Sequence, residues 1–118
     1  MANIAVLGYG TVGSGVVEVL NTNKDRINSK SYEPINIKYV LDLRDFPGDP
    51  VQEIITHDYN DILNDNTIDV VVEVMGGINP AYTFVKQALE SGKSVCTSNK
   101  ELVAAHGGEL MALAKEYN

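Results

Sequence analysis

The fold is decided by one short stretch near the start of the chain, Asn3-Ile4-Ala5-Val6-Leu7-Gly8-Tyr9-Gly10-Thr11-Val12-Gly13. Its continuous apolar run predicts a buried strand of a parallel sheet. The amphipathic residues that follow, from Val12 to Leu20, predict a helix. The glycines between the two have the spacing G-x-G-x-x-G. With a strand before it and a helix after it, this spacing favours a dinucleotide-binding turn over a turn whose glycines are merely structural.

Each glycine has a separate physical reason in such a turn. Gly8 permits the sharp exit from the strand, Gly10 lets a pyrophosphate approach the backbone, and Gly13 allows the helix to pack against the strand. The N–H groups of the first helical turn face the phosphates, and the helix dipole favours their negative charge.

The composition is that of a soluble protein with a single domain, which we expect to span residues 1–118. The chain is 44% hydrophobic and 21% charged, which is ordinary for a globular domain. Its formal net charge of −7 argues against a nucleic-acid partner, because such a partner needs a basic patch. No apolar stretch approaches the roughly 20 residues of a membrane span, and no signal peptide is expected.

Three single residues carry predictions of their own. Cys96 is the one cysteine, so no disulfide can form within the chain, which fits a cytoplasmic protein; we expect it to be a small apolar residue buried in a strand. His57 has no second histidine or carboxylate at metal-ligand spacing, so no metal site is predicted. Glu73 lies inside a buried run, and we favour a satisfied core carboxylate over a group that points into a cleft.

Strands and helices alternate along the rest of the chain. Strands are predicted over Ile35 to Leu41, Asp69 to Val74 and Ser94 to Thr97, with a weak edge strand over Val51 to Thr56. The first helix is expected to reach about Asn28, before a polar connection over residues 29–34. This order predicts an α/β fold of three layers, α/β/α, built on a doubly wound parallel sheet of the Rossmann type.

The ends of the later helices are also predicted. Asp58 is expected to cap a short helix over Tyr59 to Leu63, and Asn79 is expected to cap a longer one. A final helix is expected to begin near Glu101 and to break at His106-Gly107-Gly108, because glycine is a poor helix former.

The end of the second strand bears on the choice of nucleotide. In a dinucleotide fold the residue that closes this strand meets the adenosine ribose, where a carboxylate accepts the ribose hydroxyls and an arginine favours a 2′-phosphate. Asp42 therefore favours NAD, and Arg44 favours NADP. The alternatives are a solvated loop carboxylate for Asp42 and a surface cation for Arg44.

Three turns are expected to line one cleft, since right-handed crossovers place the carboxyl ends of the first, fourth and fifth strands at one edge of the sheet. These turns are Gly8 to Gly13, Met75 to Asn79 and Thr97 to Lys100. Gly76 and Gly77 either allow the backbone to approach a cofactor or form a plain turn, and both interpretations stay open.

Taken together, these stretches resemble the N-terminal domain of homoserine dehydrogenase. The matching runs are Gly8-Tyr9-Gly10-Thr11-Val12-Gly13, Val71-Val72-Glu73-Val74-Met75-Gly76-Gly77, and Thr97-Ser98-Asn99-Lys100-Glu101-Leu102-Val103-Ala104 with His106-Gly107. The resemblance covers essentially the whole chain. It implies an oxidoreductase of threonine and methionine biosynthesis that converts L-homoserine reversibly to L-aspartate 4-semialdehyde with NAD or NADP.

The resemblance also implies site residues. Lys100 would lie at the junction of cofactor and substrate, where hydride transfer needs a proton to move on the substrate oxygen and a donor near the developing alkoxide. A surface lysine at a helix start is the alternative. Asn99 would hold either the nicotinamide carboxamide or the backbone of Lys100. The other cofactor-binding residues implied are Met75, Gly76, Gly77 and Thr97. In the glycine turn, the backbone N–H groups of Tyr9, Thr11 and Val12 would bind the phosphates, with the Thr11 hydroxyl as a further donor.

Enzymes of the family are much longer than this chain. The resemblance therefore implies a C-terminal domain, absent from these 118 residues, that supplies the homoserine-binding carboxylates, a second lysine and most of a homodimer interface. We expect the chain alone to bind nucleotide without turning over homoserine. Two other interpretations stay open: another NAD(P)-dependent amino-acid or aldehyde dehydrogenase, and a regulatory domain that senses NAD(H) without chemistry.

Overall fold

A computed structural model describes residues 2–22 and 35–117. The predicted extension of the first helix to about Asn28 and the connection over residues 29–34 lie outside the described residues. In chain order the elements are β1 (Ala2–Leu7), α1 (Thr11–Thr22), β2 (Ile35–Leu41), a 3-10 turn (Pro50–Ile54), β3 (Ile55–Thr56), α2 (Asn60–Leu63), β4 (Ile68–Glu73), α3 (Ala81–Glu90), β5 (Ser94–Thr97) and α4 (Lys100–Tyr117).

The strands form one parallel sheet of five, in the order β3-β2-β1-β4-β5. The first strand of the chain is therefore the central one. At its carboxyl end Leu7 lies beside Leu41 of β2 on one side and beside Glu73 of β4 on the other. The predicted Rossmann-type α/β fold is confirmed, and the ends of β1, β4 and β5 lie next to one another as expected.

The core lies on both faces of β1, which explains why its sequence is apolar without alternation. Ile4 and Val6 pack on one face with Val17 of α1. Ala5 and Leu7 belong to the cluster on the other face, which includes Ala88 of α3 and residues of β4 and α2. A third cluster joins α3 to α4. The result is the expected arrangement of helices on both faces of a sheet.

The final helix is continuous from Lys100–Tyr117, so the predicted break at residues 106–108 is wrong. Leu102 and Leu110 of this helix are buried against Val85 and Leu89 of α3. This packing outweighs the helix propensity of glycine, which is about 1 kcal/mol less favourable than that of alanine at each position.

Two predicted caps differ from the structure. Asn79 does not cap α3; Pro80 occupies the cap position, and no side chain caps this helix end. Tyr59, not Asp58, stands at the cap position of α2. The Asp58 carboxylate still accepts the backbone N–H of Asn60 at 2.9 Å, so it serves the same helix end from one residue further out.

Cys96 is exposed, and its predicted burial is wrong. It lies in β5, which is at the margin of the sheet and pairs only with β4 among the described strands. A short strand with one neighbour presents its side chains to solvent more than a central strand does. Within residues 2–22 and 35–117, no helix has both the length and the apolar character needed to cross a membrane.

Candidate functional site

A cleft of about 570 Å³ opens at the carboxyl ends of the strands. Its walls come from the turn after β1, the loop after β2, the residue that follows β3, and the turn after β4. The lining is mostly apolar, with a few polar side chains at one end. This is the place where open parallel sheets bind their ligands.

The turn after β1 has the geometry that its glycines predict. Gly8 has φ +103°, a conformation that side-chain-bearing residues rarely adopt. A Cβ on Gly13 would lie 1.9 Å from the carbonyl oxygen of Gly8, so only glycine allows α1 to pack this closely on β1. A Cβ on Gly10 would meet no atom within 4 Å. Gly10 therefore faces open space on the cleft wall, where the backbone can be approached by a ligand.

Tyr9 anchors this turn to its surroundings. Its backbone N–H donates to the Asp42 carboxylate at 3.0 Å, and its hydroxyl donates to Asp49 at 3.1 Å. Its ring meets Phe46 edge-on. Burial, and then the Asp49 carboxylate, raise the pKa of the Tyr9 phenol. The N–H of Tyr9 therefore already has an acceptor in this structure.

The start of α1 provides donors of the predicted kind. The first N–H groups of a helix have no acceptor within the helix, and those of α1 begin at Thr11. Thr11 and Val12 are both exposed. The positive end of the helix dipole therefore faces solvent beside the glycine turn, which suits a phosphate.

Asp42 and Arg44 form one unit at the end of β2. Oδ1 of Asp42 accepts the backbone N–H and Nε of Arg44, and Oδ2 accepts the N–H of Tyr9 and Nη2 of Arg44. The Arg44 side chain is the main reason that the pKa of Asp42 falls to about 2. With these four hydrogen bonds the carboxylate has filled its acceptor positions. Asp42 is not a solvated loop carboxylate, since its side chain is only 10% exposed.

His57 is a neighbour of Asp42 that sequence reasoning did not assign to this site. Its Nδ1 lies 2.7 Å from the carbonyl oxygen of Asp42, and its Nε2 lies 2.8 Å from Oδ1 of Asp45. A carbonyl and a carboxylate can only accept, so both contacts are hydrogen bonds only when the ring is protonated to the imidazolium. The Asp42 carbonyl, and then Asp45, raise the pKa of His57. Its position directly after the edge strand β3 was the signal that could have found it.

An aromatic pair forms an apolar wall of the cleft. The rings of Tyr59 and Phe84 stack with centroids 4.2 Å apart, and the Tyr59 hydroxyl donates to the Phe84 carbonyl at 2.6 Å. Burial raises the pKa of the Tyr59 phenol. A flat apolar wall of this kind fits a nucleotide base. Nothing in the local sequence marks either residue, because they meet through the packing of α2 against α3.

The turns after β4 and β5 lie further along the same edge of the sheet. Met75 lines the cleft, whereas Gly76, Gly77 and the residues from Thr97 to Lys100 are not part of its wall. Gly76 and Gly77 have φ of +78° and +73°. The turn itself therefore requires glycine at two successive positions.

Asn99 uses its side chain to join these two turns. Its Oδ1 accepts the backbone N–H of Leu102 at 3.1 Å, which caps α4, and its amide nitrogen donates to the Gly77 carbonyl. The amide therefore does not bond to the backbone of Lys100, which was one of the two partners suggested for it. Lys100 follows as the exposed first residue of α4. Its amine has no hydrogen-bond or ion-pair partner within the described part of the chain.

Comparison with known proteins gives consistent matches. The family model described as "Homoserine dehydrogenase, NAD binding domain" matches residues 8–118. The homoserine dehydrogenase of Lactococcus lactis is 39% identical over 122 residues, which cover 98% of this chain and 28% of that protein. That of Bacillus subtilis is also 39% identical, over 96% of this chain and 27% of that protein. The chain thus spans about 28% of the length of the first of these relatives.

Solved structures agree with this. Staphylococcus aureus homoserine dehydrogenase at pH 8.5 is 42% identical, with a TM-score of 0.89, over 98% of this chain and 30% of that chain. A hyperthermophilic archaeal homoserine dehydrogenase in complex with NADPH is 25% identical, with a TM-score of 0.76, over 99% of this chain and 41% of that chain.

Proposed function

Since the chain belongs to the homoserine dehydrogenase family, through the NAD-binding domain of that family, we propose that it holds the cofactor for the reversible oxidation of L-homoserine to L-aspartate 4-semialdehyde. The nicotinamide supplies the chemistry by accepting or giving a hydride. The chain's own residues bind the dinucleotide, orient it and prepare the end of the site where the substrate arrives.

The turn between β1 and α1 is the observation that carries this proposal. Gly13 is needed for packing, because a Cβ there would collide with the Gly8 carbonyl. Gly10 is not needed for packing, because a Cβ there would meet open space. A glycine that packing does not require, on a cleft wall and beside the N-terminus of a helix, fits the close approach of a pyrophosphate.

The paired side chains at the end of β2 support acceptance of either NAD or NADP. Asp42 accepts the ribose hydroxyls of NAD once Arg44 has moved off its carboxylate. Arg44, with 63% of its side chain exposed, would pair with the 2′-phosphate of NADP after leaving the Asp42 carboxylate. Asp42 and Arg44 are paired with each other in the present arrangement. NAD and NADP must therefore each displace one of these side chains from the other in order to bind it.

Lys100 is proposed as the catalytic residue of this chain. A cation at the first position of a helix is unfavourable on dipole grounds, and this one has no carboxylate partner among the described residues to offset that. Placed near the nicotinamide, its ammonium would donate a hydrogen bond to the substrate oxygen and help to move its proton.

We further propose that residues 1–118 form one NAD(P)-binding domain, and that the groups which bind homoserine and join two subunits lie outside them. These residues alone would then bind dinucleotide without oxidising homoserine. A turnover assay with homoserine and NAD or NADP tests this division, and robust turnover by residues 1–118 alone would show it to be wrong.

Titration with NADH and, separately, with NADPH tests the proposed function directly. The chain has no tryptophan, so the fluorescence of the reduced nicotinamide is measured with little protein background. We expect saturable binding of both nucleotides. If neither is bound, the proposed role of the glycine turn is wrong.

A further inference from the structure

We propose that Glu73 is a positioning residue that fixes the nicotinamide end of the cofactor site, by holding the turns after β4 and β5 in one arrangement. This inference rests on the proposed function. It adds to that function a specific task for a fully buried side chain that does not itself line the cleft.

The hydrogen bonds of Glu73 all lead to these two turns. Its carboxylate is fully buried at the end of β4. Oε2 accepts the backbone N–H groups of Met75 at 2.8 Å and of Gly76 at 3.3 Å. Oε1 accepts the hydroxyl of Thr97 at 2.6 Å. Glu73 therefore binds the backbone of one turn and the first side chain of the other.

Further hydrogen bonds lead from Thr97 through Asn99 back to the turn after β4. The Thr97 hydroxyl, which donates to Glu73, accepts the backbone N–H of Asn99 at 3.0 Å. The Asn99 side chain in turn donates to the Gly77 carbonyl. Gly77 belongs to the same turn whose N–H groups Glu73 accepts. Two side-chain contacts thus join the turns, one between the Glu73 carboxylate and Thr97 and one between the Asn99 amide and the Gly77 carbonyl. Lys100 follows directly after Asn99 in the sequence.

Burial of a carboxylate at this position has a cost in desolvation free energy. An apolar side chain would pack there without any desolvation cost. The three donors would then lose their acceptor, and two of them belong to the turn with two successive positive-φ glycines. The benefit of Glu73 therefore lies in the shape of these turns and not in the packing of the sheet.

Position along the sheet edge gives this shape a functional meaning. The adenosine end of the proposed site lies at the ends of β1 and β2, with Gly10 and Asp42 on the cleft wall. The turns held by Glu73 lie beyond it, past β4 and β5. A dinucleotide that starts at Gly10 and runs along the edge brings its nicotinamide half to these turns. Loss of these hydrogen bonds should therefore weaken the binding of the nicotinamide half of the dinucleotide and leave the binding of the adenosine half unchanged.

Ligand dissection by isothermal titration calorimetry tests this inference on residues 1–118. ADP-ribose carries only the adenosine, pyrophosphate and ribose portions, whereas NADH adds the nicotinamide. For Glu73→Ala we expect about a tenfold or greater loss of NADH affinity with ADP-ribose affinity within about twofold of the wild type, the tenfold loss being what one lost hydrogen-bonding interaction of about 1.4 kcal/mol gives. Glu90→Ala is the matched control, since Glu90 is exposed at the end of α3.

Two more variants distinguish a selective effect on NADH binding from a general loss of folding. Thr97→Val keeps the shape of the side chain and removes the hydroxyl, so it should also weaken NADH selectively. Glu73→Gln keeps one acceptor oxygen for the turn after β4 and should restore part of the NADH affinity. An equal loss for both ligands in Glu73→Ala and Thr97→Val would overturn the inference, and so would no loss for either.

The wild-type protein separates this inference from the proposed function. Binding of ADP-ribose with no gain for NADH would leave the proposed function standing and overturn the role of Glu73. Binding of neither ligand would overturn the proposed function itself, and the inference with it.

Discussion

Asp42 accepts the backbone N–H of Tyr9 at 3.0 Å, across 33 residues of sequence. This bond ties the end of β2 to the glycine turn after β1. The carboxylate that is proposed to meet the ribose is therefore also the group that holds the phosphate turn against the sheet, and its replacement should have two separable effects.

Replacement of Asp42 by alanine should destabilise the fold. The partly buried N–H of Tyr9 would lose its acceptor, and an unsatisfied donor of this kind costs about 1–3 kcal/mol. Asp42→Asn keeps one acceptor oxygen and should lose less. Urea denaturation of both variants measures the effect. Equal stability of Asp42→Ala and the wild type would mean that the Tyr9 bond contributes nothing.

Acid should weaken the protein through the same carboxylate. The pKa of Asp42 is lowered in the folded state to about 2, chiefly by the Arg44 side chain. A lowered folded-state pKa gives stability that is present above the unfolded pKa of about 3.9 and is lost as the pH falls toward 2. The difference in unfolding free energy between wild type and Asp42→Asn should therefore shrink between pH 5 and pH 2. A difference that stays constant would contradict this assignment.

His57 should act in the opposite direction at higher pH. Its pKa is raised in the folded state by the Asp42 carbonyl and then by Asp45. Its stabilising contribution is therefore complete below the unfolded pKa of about 6.5 and is lost as the pH rises through the folded pKa. The chain has only two histidines, so NMR can follow the His57 ring separately from that of His106. A midpoint at or below that of a denatured reference peptide would refute the imidazolium assignment.

Replacement of two glycines of the same turn by alanine should have different effects, on NADH binding at Gly10 and on stability at Gly13. Gly10→Ala should leave the melting temperature nearly unchanged, because its backbone has no positive φ and its added methyl meets open space. The affinity of Gly10→Ala for NADH should be lower than that of the wild type by about tenfold or more. Gly13→Ala should unfold the protein or destabilise it by about 1–3 kcal/mol or more, because the methyl overlaps the Gly8 carbonyl.

Gly15→Ala provides the matched control within the same helix. Its added methyl also meets open space, and Gly to Ala inside a helix typically stabilises by about 0.5–1 kcal/mol. NADH affinity should stay at the wild-type value. If Gly10→Ala binds NADH as well as Gly15→Ala does, the cofactor does not approach the backbone at Gly10.

Lys100 should matter for chemistry and little for nucleotide binding. In an active enzyme that contains this chain, Lys100→Ala should lower kcat by about 10²–10⁴-fold, the range of general acid–base and donor catalysis. The NADH dissociation constant should change little, because the amine has no partner that holds the fold. Steady-state kinetics and a binding titration on the same preparation separate the two. Unchanged kcat would remove the proposed role of Lys100 and favour a domain that senses NAD(H).

The central part of this structure could be predicted from local sequence alone. The strand, the glycine spacing and the helix after it are set by steric demands within 11 successive residues, and the observed contacts of Gly8 and Gly13 follow from those demands. The role of Glu73 as a satisfied core carboxylate was likewise readable, since a buried carboxylate has to find donors.

The rest depended on contacts that local sequence does not encode. The final helix continues through Gly107 because Leu102 and Leu110 pack on a neighbouring helix. The pKa of His57 is raised because two acceptors from a different loop meet its ring. Asn99 is committed to a cap and to Gly77, which lies 22 residues away. Each of these outcomes is set by which elements become neighbours.

The central position of β1 has a consequence for how the molecule is made. Its pairing with β4 joins Asn3 to Ile68, so a long loop must close before β1 has a neighbouring strand on both sides. Such long-range pairing carries an entropic cost that short-range contacts avoid, and it slows folding. A growing chain on the ribosome can pair β1 with β2 and so support the glycine turn on one side before β4 has been made. The turn after β1 therefore gains its second neighbouring strand only when residues 68–73 have been made.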